Sequence, residues 1–323
     1  MSLTKLIKEF IFEEERLFKS CHASTLLVLL NGDILVSWFG GTEEGASDVG
    51  IWLSKRVNGR WTFPKKVSVQ ENIPHWNPVL FQSAEGSIYL FYKVGYKIPE
   101  WITMVVKSDD HGDTWTAPRS LVEGDIGGRG PVKNKVIILS NGIWLAPASI
   151  EDQYWDAFVD YSVDQGKTWT KSKMVPLNRS DFKGKGVIQP ALWESEPGMV
   201  HMVLRSTEGA IYRSDSKDAG KTWFTAYPTS LPNNNSGIDL TRLENGILAL
   251  VYNPVKENWG ARSPLVISLS YDNGDTWTDT YVLEDEKAGC EYSYPAIVSK
   301  DSEIYITYTW NRQRIVLWKF LLD

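Results

Sequence analysis

SVDQGKTW, at residues 162–169, is one of four close copies of the pattern S-x-D-x-G-x-T-W. A step of 54 residues separates each copy from the next, and the copies begin at Ser108, Ser162, Ser216 and Ser270. One more step towards the N-terminus reaches Ser54, where SKRVNGRW keeps the Ser, Gly59 and Trp61 but lacks the Asp. A regular period of this length indicates a chain built from repeated supersecondary units.

The residue types of this motif are those of a tight hairpin turn. The Asp side chain accepts hydrogen bonds from the turn's own backbone, the Gly supplies a positive φ angle, and the Trp packs back between neighbouring sheets. Calcium binding is the alternative role for the carboxylates, but each copy offers fewer oxygen ligands than calcium requires. We therefore predict a structural role for Asp110, Asp164, Asp218 and Asp272.

A second feature recurs between the motifs: an apolar strand, a short turn and another apolar strand. Near-continuous apolar strands are typical of sheets that are covered on both faces, and the N-G and E-G pairs between them favour hairpin turns. The six copies are STLLVLLNGDILVSW (24–38), NPVLFQSAEGSIYLFY (77–92), NKVIILSNGIWLAP (134–147), QPALWESEPGMVHMVL (189–204), GIDLTRLENGILALVY (237–252) and YPAIVSKDSEIYITYTW (294–310). They predict an all-β chain that folds as a single six-bladed β-propeller domain over residues 1–323.

The two ends of the chain are expected to meet in the sixth blade. The sequence has six apolar hairpins but five motif positions, so the sixth blade lacks a normal outer hairpin. We predict that the N-terminal segment EFIFEEERLF, residues 9–18, supplies its outermost strand. This pairing would close the propeller and remove an exposed sheet edge.

The composition limits the classes of partner. With 34 basic and 40 acidic residues the net charge is -6, which argues against a nucleic acid or an anionic membrane as the main partner. The N-terminus lacks an apolar segment followed by a small-residue cleavage site, and no stretch approaches 18 apolar residues, so a cytoplasmic protein is expected. Two cysteines, Cys21 and Cys290, predict neither a disulfide framework nor a cysteine-based zinc site. We expect no metal and no cofactor.

The innermost strands of a propeller converge on a central channel. Residues at the beginnings of these strands, and those that follow the second strands, therefore face one funnel. Here these positions carry polar and charged side chains, which are costly to bury without partners. A polar ligand would supply the partners, whereas a water-filled tunnel is the alternative. The candidates are His22, Glu43, Glu44, His75, Trp76, Asn77, Arg129, Lys133, Gln189, Arg205, Asn234, Asn235, Asp239, Arg262, Tyr292 and Tyr294.

The motifs and these residues together resemble the sialidase superfamily, within its broader set of sialidase-like Asp-box repeat proteins. The resemblance extends over nearly the whole chain, from Phe18 to Trp310. Sialidases hold the substrate carboxylate with three arginines, attack through a tyrosine assisted by a glutamate, and protonate the leaving group with an aspartic acid. The resemblance implies that Arg205 in HMVLRST is the second arginine, Arg262 in NWGARSPL the third, and Tyr292 in CEYSYPAI the nucleophile.

Three parts of the family pattern are altered in this chain. His22, in the segment CHAS, stands where the first arginine is expected. The glutamate expected ahead of Gln189 falls on an apolar residue. The family pattern places the aspartic acid in the loop FGGTEEGASD, where Glu44 or Glu43 is the residue nearest in register. The parts that distinguish a sialidase are therefore changed, although the general site is retained.

The candidates divide into a clamp, a reacting centre and a sugar-contacting set. Two arginines aimed into one funnel, Arg205 and Arg262, form a clamp for a carboxylate, and Arg129 or Lys133 would add a third positive group. A neutral tyrosine needs a base to act as a nucleophile, and His22 is the candidate because imidazole titrates near neutral pH. Contacts to sugar rings and hydroxyl groups are predicted for His75, Trp76, Asn77, Gln189, Asn234, Asn235, Asp239 and Tyr294.

The sequence therefore predicts a carbohydrate-active enzyme, an exo-acting glycoside hydrolase that cleaves a terminal acidic sugar from an oligosaccharide or glycoside. In this interpretation Tyr292 and His22 act at the reacting centre, and Glu44 or Glu43 is the acid and base. A uronate-specific lyase is the main alternative, because a histidine and a tyrosine beside a bound uronate suit β-elimination. A non-catalytic glycan-binding propeller is the third possibility.

Overall fold

Each repeat folds into one antiparallel sheet, in which the apolar hairpin forms the two inner strands. In the computed structural model, which describes residues 3–14 and 16–323, six such sheets form the blades of a β-propeller. The predicted all-β, six-bladed fold is confirmed. The strands of blades one to five lie in chain order from the axis outwards, and blade six follows the same order except that β1 is its outermost strand.

The first two blades illustrate this arrangement. β1 (Leu3–Phe10) precedes them in the chain. Blade one contains β2 (Ser20–Val28), β3 (Ile34–Gly41), β4 (Gly50–Val57) and β5 (Arg60–Trp61), and β6 (Lys65–Lys66) also pairs with β4. Blade two contains β7 (His75–Gln82), β8 (Ile88–Val94), β9 (Ile102–Ser108) and β10 (Arg119–Ser120), and one turn of 3-10 helix, Ile98–Glu100, lies between β8 and β9.

The other four blades follow the same order. Blade three contains β11 (Ile137–Ile138), β12 (Trp144–Glu151), β13 (Trp155–Ser162) and β14 (Thr170–Lys171). Blade four contains β15 (Val187–Glu196), β16 (Met199–Ser206), β17 (Ala210–Ser216) and β18 (Tyr227–Pro232). Blade five contains β19 (Asp239–Arg242), β20 (Leu248–Tyr252), β21 (Leu265–Ser270) and β22 (Asp279–Glu284). Blade six contains β23 (Tyr292–Lys300), β24 (Glu303–Trp310) and β25 (Arg314–Leu322), and β1 pairs with β25.

The N-terminal strand completes blade six, as predicted. β1 is antiparallel to β25, with Phe10 opposite Val316. The strand lies earlier in the chain than the predicted segment 9–18, because the apolar residues after Phe10, such as Phe18, turn into the core between blades six and one. Glu15, within the predicted segment, lies outside the described residues.

Each complete copy of the motif closes a hairpin through its Asp side chain. In the second copy, the Asp164 carboxylate accepts hydrogen bonds from the backbone N of Thr168 (2.9 Å), from Thr168 Oγ1 (2.6 Å) and from Ser162 Oγ (2.8 Å). The bonds from Thr168 hold the pKa of Asp164 down to about 2. The same three contacts occur at Asp110, Asp218 and Asp272.

The glycine of the motif provides a test of how this turn packs. We expect Gly166→Ala to lower the free energy of unfolding by about 2 kcal/mol or more, because alanine is strained at a φ of +80° and its Cβ would lie 2.6 Å from Cζ3 of Trp144. Gly142→Ala is the matched control, since Gly142 has a φ of +85° and no atom within 4 Å of the added Cβ. Denaturant unfolding of the two variants separates the clash from the backbone strain. Equal losses in both would show that the Trp144 ring yields freely.

A β-bulge interrupts the beginning of the innermost strand in blades one, two, four and six. The extra residue re-aims the side chains around it, and a positive φ angle at a residue other than glycine is uncommon outside functional or strained sites. The four bulge residues with positive φ are Ala23 (55°), Asn77 (42°), Gln189 (52°) and Tyr294 (52°).

The bulges and the Asp-containing hairpins lie at opposite ends of the propeller. The innermost strands begin at one end, and the third strands run from that end towards the Asp-containing hairpins at the other. The hairpins that support the scaffold are therefore remote from the bulges. Across residues 3–14 and 16–323, no helix has the length and apolar character needed to cross a membrane.

Candidate active site

The bulges surround a cavity of about 290 Å³ at the end of the channel where the innermost strands begin. Every blade contributes at least one residue to its wall. Aromatic rings alternate there with charged and amide groups, which is typical of pockets that bind polar organic ligands. The lining residues are His22, Glu44, Trp76, Asn77, Ile98, Trp101, Glu151, Gln189, Arg205, Trp259, Arg262, Tyr294 and Arg312.

Tyr294 is the tyrosine of this cavity. Its hydroxyl oxygen accepts a hydrogen bond of 2.7 Å from Nη1 of Arg205. Its ring centroid lies 4.2 Å from that of His22, and the guanidinium carbons of Arg205 and Arg262 lie 5.9 and 5.6 Å from its ring centroid. Two guanidinium groups and an imidazole therefore surround one phenol.

The assignment of Tyr292 to the funnel is wrong in this structure. Tyr292 is 5% exposed and belongs to the apolar core between blades five and six, where its ring packs edge-on against Tyr308 with centroids 6.5 Å apart. Burial raises its pKa to about 12. Residues two apart in a regular strand face the same side, but the bulge between Ser293 and Ala296 breaks this alternation. Tyr294, not Tyr292, therefore faces the cavity.

Arg205, at the end of β16, is held firmly in the cavity wall. Its Nε donates to Oδ1 of Asn235 (2.7 Å), and its Nη1 donates to Oε1 of Gln189 (3.2 Å) as well as to Tyr294. Its guanidinium carbon lies 5.6 and 5.5 Å from the ring centroids of Trp155 and Trp259. These contacts leave Nη2 without a hydrogen-bond partner among the described residues, so this edge of the guanidinium is available to a ligand.

Arg262 and Arg312 form a pair of guanidinium groups in the cavity wall. Arg262 Nη1 and Arg312 Nε both donate to Oε1 of Glu291, at 2.9 and 2.7 Å. Arg312 also forms an ion pair with Glu44, and its carbonyl oxygen accepts a 2.8 Å hydrogen bond from the backbone N of Cys21. Arg312 therefore lies beside blade one, where the sequence lacks the expected first arginine.

Sequence reasoning missed Arg312 and Glu151. Both lie where the second strand of a blade ends, which is the kind of position that the sequence analysis selected. Arg312 was overlooked because it lies in the turn after Trp310, where the resemblance ends, and its φ of 57° turns it towards the cavity. Glu151 was overlooked because it is the last residue of β12, the second strand of blade three, and no motif surrounds it. A search of every residue within two positions of a second-strand end would have found both.

His22 occupies the position of the missing first arginine and is buried. Its Nδ1 lies 2.9 Å from Oγ1 of Thr309, while Nε2 has no hydrogen-bond partner in the described part of the chain. Burial, reinforced by the charges of Arg312 and Arg262, holds its pKa well below the usual 6.5. The imidazole is therefore neutral at pH 7.

This environment predicts the titration of His22. We expect its imidazole NMR signals to show a midpoint well below pH 6.5, with the signals assigned by their loss in His22→Gln. The unfolded chain binds a proton at this residue near pH 6.5 and the folded chain does not, so His22 lowers the free energy of unfolding as the pH falls below 6.5. Denaturant unfolding at pH 5.5 and 7.5 should show a smaller acid loss in His22→Gln. A midpoint at or above 6.5 would contradict the burial of a neutral ring.

The cavity contains two carboxylates in different surroundings. Glu44 is half exposed and paired with Arg312. Glu151 accepts no hydrogen bond and joins no ion pair within the described ranges, and burial raises its pKa despite the nearby charge of Arg205. Glu43, the other sequence candidate, is exposed and does not line the cavity.

Of the predicted sugar-contacting residues, Trp76, Asn77 and Gln189 line the cavity together with Tyr294. Asn234 and Asn235 lie behind the wall. Asn235 accepts the bond from Arg205, and Asn234 Nδ2 donates to the carbonyl of Ala261 (2.7 Å), so both support the cavity without facing it.

Two predicted binding residues are directed elsewhere. Arg129 forms a 2.7 Å ion pair with Asp160 and donates to the carbonyl of Trp169 (2.9 Å), within blade three. His75 is fully buried, with Nδ1 3.0 Å from the carbonyl O of Val49 and Nε2 3.1 Å from Oε1 of Gln70. Their assignment to substrate binding is corrected, because protein groups already satisfy both side chains.

Lys133 and Asp239 connect blades across the channel. Lys133 Nζ donates to the carbonyls of Ile238 (2.9 Å) and Pro295, and its burial lowers its pKa to about 7. Asp239 pairs with Lys135 at 2.9 Å. Neither residue lines the cavity, so their predicted role in ligand binding is wrong. They instead link blade three to blades five and six.

Comparisons with known proteins agree with this architecture. The BNR repeat-like domain family matches residues 32–306. A sialidase of Bacteroides fragilis (strain YCH46) is 26% identical over 288 residues, which cover 82% of this chain and 48% of that protein, so the chain spans about half the length of this relative. Among solved structures, the Hadza microbial sialidase Hz136 has a TM-score of 0.80 at 16% identity, covering 98% of this chain and 68% of that one. A Dyadobacter fermentans protein of unknown function has a TM-score of 0.79 at 17% identity, covering 99% of both chains.

Proposed function

The chain belongs to the BNR repeat-like domain family, within the sialidase-like superfamily, and from this premise we propose that it is a glycoside hydrolase that removes a terminal acidic sugar. The observation that carries the proposal is the convergence of three guanidinium groups on one cavity around Tyr294. Arginines bind carboxylates through paired, charge-assisted hydrogen bonds. Arg205, Arg262 and Arg312 therefore form a carboxylate site.

The reacting centre consists of Tyr294 and His22. As the bond to the leaving oxygen breaks, the Tyr294 oxygen bonds to the anomeric carbon and a cavity carboxylic acid protonates the leaving group; water then splits the glycosyl-tyrosine bond. Arg205 stabilises negative charge on the Tyr294 oxygen. Gln189 is an amide and takes no proton, so His22, whose ring centroid lies 4.2 Å from that of Tyr294, is the proposed base.

Arg312 should contribute to the affinity for the carboxylate. We expect Arg312→Gln to raise KM about 30-fold, since losing one charge-assisted contact to a bound carboxylate costs about 2 kcal/mol. The loss should be confined to acidic substrates, so the carboxamide analogue of the same glycoside should show little change. Arg314→Gln is the matched control, because the Arg314 guanidinium carbon lies 3.7 Å from the ring centroid of Phe10 and outside the cavity lining. An equal loss for acid and amide would contradict a carboxylate contact.

The proposed reaction is tested by incubating the protein with sialosides, uronides and longer acidic oligosaccharides and recording product masses. Hydrolysis adds one water across the cleaved bond and releases a monosaccharide from the end of the chain. Cleavage of neutral glycosides in preference to acidic ones would contradict the arginine clamp. Binding without any change in mass would identify a non-catalytic glycan-binding propeller.

Lyase activity is the second candidate, and the contact between His22 and Tyr294 favours it. Here His22 removes the proton α to the arginine-bound carboxylate, a carbon–carbon double bond forms, and the bond to the β oxygen breaks as Tyr294 protonates it. The product is an unsaturated uronate that absorbs ultraviolet light, and no water is incorporated. Absorbance and mass of the products therefore distinguish the lyase from the hydrolase.

A further inference from the structure

A second pocket, of about 540 Å³, adjoins the central cavity, and Trp259 lines both. The indole of Trp259 is 62% exposed and the ring of Tyr154 is 54% exposed. Exposed aromatic faces of this kind stack on sugar rings. The other residues that line this side pocket are Gln153, Trp155, Lys183, Gly184, Lys185, Thr207 and Asn258.

The wall of the side pocket is preformed. Arg179 Nη1 donates to the carbonyl of Lys185 (2.6 Å), and its Nη2 donates to the carbonyl of Trp155 (3.1 Å). Gly186 approaches so closely that a Cβ there would lie 2.0 Å from the carbonyl oxygen of Trp155. Hydrogen bonds and close packing thus fix the loop that carries both lysines against blade three.

The charged residues that line the side pocket are all positive. Lys183 and Lys185 line it and are exposed, while no lining residue is acidic. Lys185 Nζ lies 6.0 Å from the ring centroid of Trp155, and the Arg179 guanidinium carbon lies 4.7 Å from that of Tyr154. Arg179 is neutralised by an ion pair of 2.6 Å with Asp156, whereas Lys183 and Lys185 form no ion pair within the described residues. The two lysines therefore favour an anionic group on any sugar that stacks there.

We propose that the side pocket binds the second sugar of the substrate and selects one that carries a carboxylate or a sulfate. This inference rests on the proposed function, because it takes the terminal acidic sugar to occupy the central cavity. The shared Trp259 places the two sugars in adjacent sites. The protein would then prefer acidic chains over a single acidic sugar attached to a neutral one.

Calorimetry on matched probes tests the proposal. The probes are α2,8-disialic acid, 3′-sialyllactose and 3′-sialyllactose sulfated at O6 of galactose, with digalacturonic acid and methyl galacturonide as the uronate pair. We expect an anionic second sugar to bind about tenfold more tightly than its counterpart in each series that binds. The sulfated probe separates a general anion preference from one restricted to carboxylates. Equal affinities within each series, or no binding of any acidic disaccharide, would overturn the proposal.

The lysines are tested directly by the double variant Lys183→Gln/Lys185→Gln, which should reduce the tenfold preference to less than twofold. Lys167→Gln/Lys221→Gln makes the same change in charge on exposed residues at the Asp-hairpin end of the propeller and should retain the preference. Retention in the first double variant would overturn the proposal. If lysine-dependent binding occurs without cleavage of any glycoside, the hydrolase proposal fails and the side pocket stands. If the protein cleaves a glycoside but shows no preference for an anionic second sugar, the side-pocket proposal fails and the hydrolase proposal stands.

Discussion

Tyr294→Phe is expected to lower kcat/KM by about 1000-fold or more, which is the largest single effect we predict. Phenylalanine keeps the ring beside His22 and removes only the oxygen that accepts the 2.7 Å hydrogen bond from Arg205. Without that oxygen no glycosyl-tyrosine bond can form, and residual turnover would rest on binding and charge stabilisation alone. Steady-state kinetics on the best glycoside of the panel, with thermal unfolding to verify the fold, measure the effect.

Tyr292→Phe is the matched control for this prediction. Tyr292 lies in the core between blades five and six, so its variant should retain kcat/KM within about twofold of the parent. The two residues differ in their surroundings although they are two positions apart. Loss of activity in Tyr292→Phe with retention in Tyr294→Phe would return the role to the tyrosine that the sequence pattern suggested.

The scaffold could be predicted because its signals are local and repeated. The Ser, Asp, Gly and Thr of each motif interact within eight residues of sequence, as at Ser162 and Asp164, so the pattern is visible in the chain itself. The closing strand was predicted at the correct edge but several residues too late. Both β1 and the segment after it mix apolar with charged residues, and only the pairing with β25 distinguishes them.

The site was harder to predict because its decisive contacts cross the channel. Lys133 has the charge of a ligand-binding residue, but carbonyl groups in blades five and six, more than a hundred residues away, already satisfy it. The bulge at Tyr294 likewise reverses the face expected from strand alternation, and no residue type marks a bulge in advance. Residues at strand ends could therefore be selected from the sequence, but their directions could not.

The two cavity carboxylates differ in the way that separates an acid from a base. An ion pair stabilises the charged form of a carboxyl group, whereas burial without a partner stabilises the protonated form. Glu44, the acid and base suggested by the sequence, is paired with Arg312. Glu151 is unpaired among the described residues, and burial raises its pKa, which favours the protonated form. We therefore propose Glu151 as the proton donor to the leaving group.

Glu151→Gln is accordingly expected to lower kcat about 100-fold on substrates with a sugar leaving group, because general acid catalysis contributes this much or more. A nitrophenolate leaves without protonation, so the same variant should lose less than tenfold on the nitrophenyl glycoside of the same sugar. The alkaline limb of the pH profile should also change, since the parent loses its proton donor as the pH rises through the raised pKa of Glu151 and the variant has no such proton to lose. Glu44→Gln should lower activity on both substrates alike through its contact with Arg312, and the exposed Glu43→Gln is the neutral control. A selective loss on the sugar leaving group in Glu44→Gln, with none in Glu151→Gln, would assign the proton to Glu44 after all.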